Sequence, residues 1–188
     1  MHEDLLKKLR ELLLKGDTES ALGLIESAIG DLEIPERVCR DKTAREREML
    51  PDGRQHDRES AVRQAKQLVE KAKVFLQTVG KDIAFAEISK PGGAFKEGEK
   101  YVFVLDMDGI MLAHGENWDF VGLDFKTVKD LEGRDFIRDM IETANEKGHG
   151  TVEYIWFHPI SRSYENKIVY FEKVDSMIIC SGVYMGQK

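Results

Sequence analysis

The chain has little of what usually announces a specialised chemistry. Among 188 residues there are two cysteines, four prolines and two tryptophans. Cys39 and Cys180 lie far apart and in no paired spacing, so they spell no zinc, haem or dithiol motif. No apolar run approaches the roughly 18 residues of a membrane span, which argues against membrane insertion. Met1 to Leu14 alternates leucine with Lys, Glu and Arg. That pattern makes an amphipathic helix, whereas a signal peptide needs an unbroken apolar stretch, so the sequence as written reads as cytoplasmic. Positive charge is in deficit: 28 Lys and Arg against 35 Asp and Glu give a net charge of -7, which disfavours nucleic acid as a partner. There is no glycine-rich phosphate loop, since Pro91-Gly92-Gly93 reads as a turn. Neither a cofactor nor a metal site is expected.

What is present suits a folded domain with an appendage. Hydrophobic residues make up 41% and charged residues 34%, enough of the former for a core and too many for a disordered chain. Leu5, Leu6, Leu9, Leu12 and Leu13 recur at helical spacing, Gly16 stops that helix, and Leu22, Ile25, Ile29 and Leu32 mark a second. Residues 4 to 32 thus predict a helical hairpin, followed by a charged linker with Pro35, Pro51 and Gly53. Residues 1–57 form this first part, and 58–188 form the second.

The second part opens with a predicted long helix over 58–80. Ala61, Ala65, Leu68, Val69, Ala72, Phe75, Leu76 and Val79 keep a 3–4 spacing, and Gly80 ends it. Such a stripe serves either as a homodimer seam or as packing against the chain's own sheet. Over 81–188 the texture turns to strands. Tyr101 to Leu105 and Ile110 to His114 flank a Met107-Asp108-Gly109 turn. Phe136, Ile137, Met140, Ile141 and Ala144 predict one helix. Thr151 to Phe157, Lys167 to Lys173 and Met177 to Tyr184 predict three more strands. The order implies an α+β domain, an antiparallel sheet of about five strands with helices on one face.

Two catalytic patterns fail on inspection. Val102 to Gly109 resembles the first motif of haloacid-dehalogenase-like phosphatases, with Asp106 as nucleophile. Late acidic metal ligands are required there, and no acidic residue follows Ser181. A hairpin turn accounts for Asp106 to Gly109 without chemistry. Ser161, Ser163 and His158 fall in a loop beside Pro159 with no elbow motif. The chain is not expected to be an enzyme.

A longer pattern carries more weight. Gly80 to Ile88, Gly92 to Val104, Asp106 to Gly109 and Leu112-Ala113-His114 follow in order. After them come Val121-Gly122, Lys129 to Gly133, Phe136 to Met140, Gly150 to Trp156, Lys167 to Tyr170 and Ser181 to Tyr184. Together these segments resemble a single Cache domain of type 2. The resemblance implies a PAS-like fold with a five- to six-stranded antiparallel sheet behind a long helix. It also implies a sensor that binds small molecules, often short carboxylates, and signals to chemoreceptor or histidine-kinase modules, usually outside the membrane. Here a helical hairpin precedes the pattern. Within it, Tyr154 and Trp156 share a strand face, Lys167 and Tyr170 match the family's Lys-x-x-Tyr pattern, and His114 ends the second strand. These five are the candidate ligand-binding residues: a lysine charge, tyrosine and histidine donors, and a tryptophan wall suit a small organic carboxylate. The alternative is a dimerising or scaffold module that binds no ligand.

Overall fold

The computed structural model describes residues 53–186, with side chains from Asp57 onward. The chain divides between Ser60 and Ala61 into two compact units, and the second carries the fold described below. The helical hairpin and linker expected over 1–57 lie almost entirely outside the described residues.

Helix α1 runs from Gly53 to Val79 and buries the expected stripe: Ala61, Ala65, Leu68, Val69, Ala72, Phe75 and Leu76 are all at most 5% exposed. The packing is internal. Phe75 meets the Phe95 ring at 5.2 Å, and Lys73 reaches Glu172 at 2.7 Å. The apolar stripe read as a candidate dimer seam is therefore consumed within the chain. Gly80, at φ 85°, takes the left-handed turn that breaks the helix, as the sequence indicates. A second helix, α2 (Lys81–Ile88), follows at once. It buries only Ala84 and Ile88, one turn apart, too short a stripe to be read from periodicity.

Strands β1 (Lys96–Glu97), β2 (Lys100–Asp106) and β3 (Met111–His114) come next. Helix α3 (Phe136–Lys147) is followed by β4 (His149–Phe157), β5 (Tyr164–Val174) and β6 (Met177–Tyr184). The six strands form one antiparallel sheet in the order β1-β2-β6-β5-β4, with β3 on the free part of the β2 edge. Asp106 closes the β2–β3 turn: its Oδ1 accepts the N–H groups of Asp108 and Ile110, both at 2.9 Å. The carboxylate that imitated a phosphatase nucleophile is thus occupied by turn geometry.

Side chains alternate across the sheet with period two, which decides the layout of the domain. One face presents Tyr101, Phe103, Leu105, Tyr154, Val169, Phe171, Ile178, Cys180 and Tyr184. This face packs on Phe136, Ile137, Met140 and Ala144 of α3. The other face presents Tyr170 and Glu172, met by Lys66 and Lys73 of α1. Helices therefore cover both faces, not one as expected. For brevity these are called the front (α3) and back (α1) faces.

Candidate functional site

A cavity of about 580 Å³ opens on the front face. Its inner wall is Tyr101 on β2 and His114 at the end of β3. One side is Asn117 and Phe120, in and beside the 3-10 turn Trp118–Phe120. The segment Val128 to Leu131 forms the second side, and Ile155, Trp156 and Phe157 of β4 form the third. Pro159 and Arg162 of the β4–β5 connection and Tyr164, the first residue of β5, complete the mouth. A gap of about 20 Å³ lies deeper, between Tyr101, Phe103, Phe136, Tyr154 and Trp156.

Local sequence explains how these walls are held. Asp130 fixes the segment before α3. Burial alone would raise its pKa, but the N–H groups of Arg134, Ile155 and Glu132 all point at its carboxylate, at 2.9, 3.2 and 2.9 Å, and together keep it below the ordinary value. The bond to Ile155 ties the segment to the edge strand β4. Two histidines act as turn posts. The His114 Nδ1 accepts the N–H groups of Glu116 at 3.2 Å and Asn117 at 2.8 Å. The His158 Nδ1 accepts those of Ile160 and Ser161, at 3.1 and 3.2 Å. Each ring packs on a tyrosine, His114 on Tyr101 at 4.9 Å and His158 on Tyr184 at 4.3 Å. They differ at the second nitrogen. His158 Nε2 meets Glu99 at 3.1 Å, while His114 turns its Nε2 edge to the cavity wall. Because Nδ1 accepts twice, the His114 proton sits on Nε2, which makes that edge a donor. Burial first, then the neighbouring Lys167 charge, lowers the His114 pKa to about 3, so the ring stays neutral at physiological pH.

Lys167 is the anomaly of the molecule. It is 1% exposed, and its Nζ has no hydrogen-bond partner among the described residues. The ammonium lies 3.8 Å from the centroid of the Tyr101 ring, 4.7 Å from Tyr184 and 5.8 Å from Phe103. Ring faces attract a cation but supply only part of what water gave it. Burial accordingly lowers its pKa to about 7, despite opposing pulls from Glu116, Cys180 and Glu99. Gly182 is what lets the stem fit. A Cβ at that position would stand 2.7 Å from Lys167 Cε and 2.7 Å from Val169 Cγ2. Lys167, a candidate ligand-binding residue from the sequence, is fully enclosed, one aromatic ring behind the cavity.

Of the five residues singled out from sequence, four gather on the front face. His114 and Trp156 line the cavity. Tyr154 lies under Trp156, stacked on Phe136 at 3.9 Å, and pairs with Lys167 across β4 and β5. Tyr170 does not join them. No bulge interrupts β5 between Lys167 and Tyr170, so three residues along the strand is the opposite face. Its ring sits 5.9 Å from the Lys66 ammonium, and its hydroxyl donates to Glu172 at 3.4 Å.

The structure adds residues that the sequence reading did not name. Tyr101 and Tyr184 box the lysine, and the Tyr184 hydroxyl donates to the Phe157 carbonyl at 2.9 Å. Arg162 stands at the cavity mouth with φ 56°, and its guanidinium has no ion pair or hydrogen bond among the described residues. The alternation of β2 and β6 carried a signal for the two tyrosines; a loop arginine carried none. The two cavity carboxylates are already engaged, Asp130 by backbone donors and Glu116 by Lys96 at 2.6 Å. The uncommitted groups around the cavity are thus donors and cations. Among the described residues, no group of three or more His, Cys, Asp or Glu is placed to hold a metal ion.

Comparison with known proteins agrees with this architecture. Residues 56–187 match the family described as single Cache domain 2. A Cache chemosensory domain, solved for the structural basis of carboxylic acid recognition, superposes with a TM-score of 0.61 at 23% identity. That match covers 72% of this chain and 99% of that one. The periplasmic sensor domain of a chemotaxis protein matches with a TM-score of 0.55 at 23% identity, over 71% of this chain and 96% of that one. A methyl-accepting chemotaxis protein from Vibrio parahaemolyticus RIMD 2210633 matches with 0.57 at 20%, over 70% and 90%. No curated protein matches the sequence. Among the described residues no helix is long and apolar enough to cross a membrane. The cytoplasmic placement read from the sequence finds no support in these matches, one of which is periplasmic.

Proposed function

The chain belongs to the single Cache domain 2 family, and we propose that within it the chain is a sensor module whose front cavity binds a small organic carboxylate. One observation carries the reading: a fully buried ammonium with no hydrogen-bond partner, Lys167, separated from the cavity by the Tyr101 ring. An unpaired buried charge is costly, and natural proteins keep one where it serves a site. An anion entering the cavity supplies the missing counter-charge. His114 Nε2–H offers it a neutral donor, Arg162 adds positive field at the mouth, and Trp156 excludes water. Tyr154 supports Trp156 and Lys167 from below. Tyr170, on the back face, has no part in this site.

The test is binding by the purified chain to a panel of carboxylates, with the matching amides and amines as controls, measured by thermal shift and calorimetry. A bound acid at about 100 times its Kd raises apparent stability by about 2.7 kcal/mol. Lys167→Met keeps the stem and removes the charge. It is expected to weaken acid binding more than tenfold, because removing one member of a desolvated charge pair costs about 2–5 kcal/mol. Equal binding of acids and their amides, or a Lys167→Met variant within threefold of the parent, contradicts the reading.

A further inference from the structure

The cavity is too large, and its outer wall too greasy, for a two- to four-carbon acid. At roughly 30 Å³ per water-sized group, 580 Å³ accommodates about 19 such groups. A four-carbon acid has about six heavy atoms and would leave most of that space to solvent. The volume lies instead within the roughly 300–1,000 Å³ range of sites that enclose larger organic ligands.

The distribution of chemistry along the cavity is uneven. Polar donors and the buried cation lie at the inner end, where His114 and Tyr101 form the wall. Away from that end Phe120, Val128, Leu131, Trp156, Phe157 and Tyr164 supply most of the lining, beside Lys129, Asp130 and Arg162. Three of these stay open to solvent: Leu131 is 63% exposed, Phe157 45% and Tyr164 53%. Phe157 and Tyr164 pair across β4 and β5 with ring centroids 5.6 Å apart and, by the alternation that parts Tyr170 from Lys167, stand at the edge of the cavity with their rings turned away from Lys167 and Trp156. Apolar side chains left wet around the mouth of a cavity mark a surface that something apolar covers.

Resting on the carboxylate reading above, we infer that the natural ligand is an amphipathic acid: a single carboxylate carrying an apolar or aromatic body of about eight to twelve heavy atoms. Its head lies toward His114 and Lys167, and its body runs out along Trp156 and Phe120 to Val128 and Leu131. Arg162 adds its cation at the mouth, where its flat guanidinium suits the face of an aromatic body.

The experiment is calorimetry of the whole 188-residue chain with straight-chain acids from two to ten carbons, below their aggregation limits, and with phenylacetate and 3-phenylpropionate. Affinity is expected to rise about fourfold per added methylene up to about nine carbons and then level off, leaving octanoate at least a hundredfold tighter than propionate. Leu131→Ala and Leu131→Asn alter an exposed side chain and leave the core intact. Each is expected to weaken octanoate severalfold and leave any propionate binding unchanged. Propionate binding as tightly as octanoate, or mouth variants that weaken both acids equally, overturns the inference while leaving the carboxylate reading in place. Binding of matched long amides as tightly as the acids, or no acid binding at all, removes both.

Discussion

Two lysines of different kinds lie against the two faces of strand β5. On the back, Lys73 reaches over from α1 and finds Glu172 at 2.7 Å and Glu70 at 2.6 Å. Burial works to lower its pKa, but the two carboxylates outweigh it and the pKa ends above the ordinary value. On the front, Lys167 is enclosed more completely and finds only rings; burial wins and the pKa falls to about 7. The two histidine posts repeat the contrast. His158 is completed by Glu99, and His114 is left with an unspent donor beside the cavity. The same residue types are finished as structure in one place and left unfinished in the other. The unfinished ones border one cavity.

The contrast is sharpest in the response to pH. The folded pKa of Lys167 lies below its unfolded value, so between about pH 7 and 10 the unfolded chain binds the extra proton. Stability should therefore rise with pH through that window, and the cost of the buried charge is felt in full below it. From pH 7 to 9.5 the expected gain is about 3 kcal/mol. Lys167→Met should raise stability at pH 6 and remove this rise. Urea unfolding of both proteins between pH 6 and 9.5 measures it; parallel curves would show Lys167 to be solvated like any other lysine. Above about pH 10 the effect should reverse. Tyr101 and Tyr154, whose pKa values burial drives well up, stay neutral in the fold but ionise in the unfolded chain.

The smaller effect belongs to the completed pair. Glu172→Gln loosens Lys73 on the back face, where both side chains are 21% exposed, so the loss should be only about 0.5–1 kcal/mol. Acid binding should not change, because the sheet separates this pair from the cavity. A tenfold loss of affinity in Glu172→Gln would mean that the two faces are coupled and would dissolve the comparison. Urea unfolding and calorimetry on the same sample give both numbers.

Much of the fold was legible in the sequence because it rests on local rules. Period-two runs and Asp/Gly turns marked β2 to β6, the Phe136 to Ala144 stripe marked α3, and Gly80 marked the end of α1. Strand β1, two residues long, and α2, with two buried side chains, are too short to make a period. The site was legible in part. Lys167, Tyr154 and Trp156 could be placed on adjacent strands, but Tyr170 joins them on one face only across a bulge or twist in β5, and the strand pairs without one. The burial of Lys167 depends on Tyr101, Tyr184 and the missing Cβ of Gly182, residues 66 and 17 positions upstream and downstream and one close to its cross-strand partner, which only the assembled sheet brings together. Arg162 reaches the cavity through a left-handed turn inside a loop, which no periodicity announces.

Proton linkage measures most directly whether Lys167 is the charge that answers a bound carboxylate. Octanoate titrations from pH 6 to 9, each in two buffers of different ionisation heat, give affinity and protons exchanged together. Below about pH 7 Lys167 is already charged, and the affinity should be level with no net proton uptake. Above it, binding should draw a proton onto the lysine: affinity falls by up to tenfold per pH unit while uptake climbs toward one proton per ligand, and Lys167→Met shows neither. An affinity unchanged between pH 6 and 9, with no proton taken up, would contradict the account.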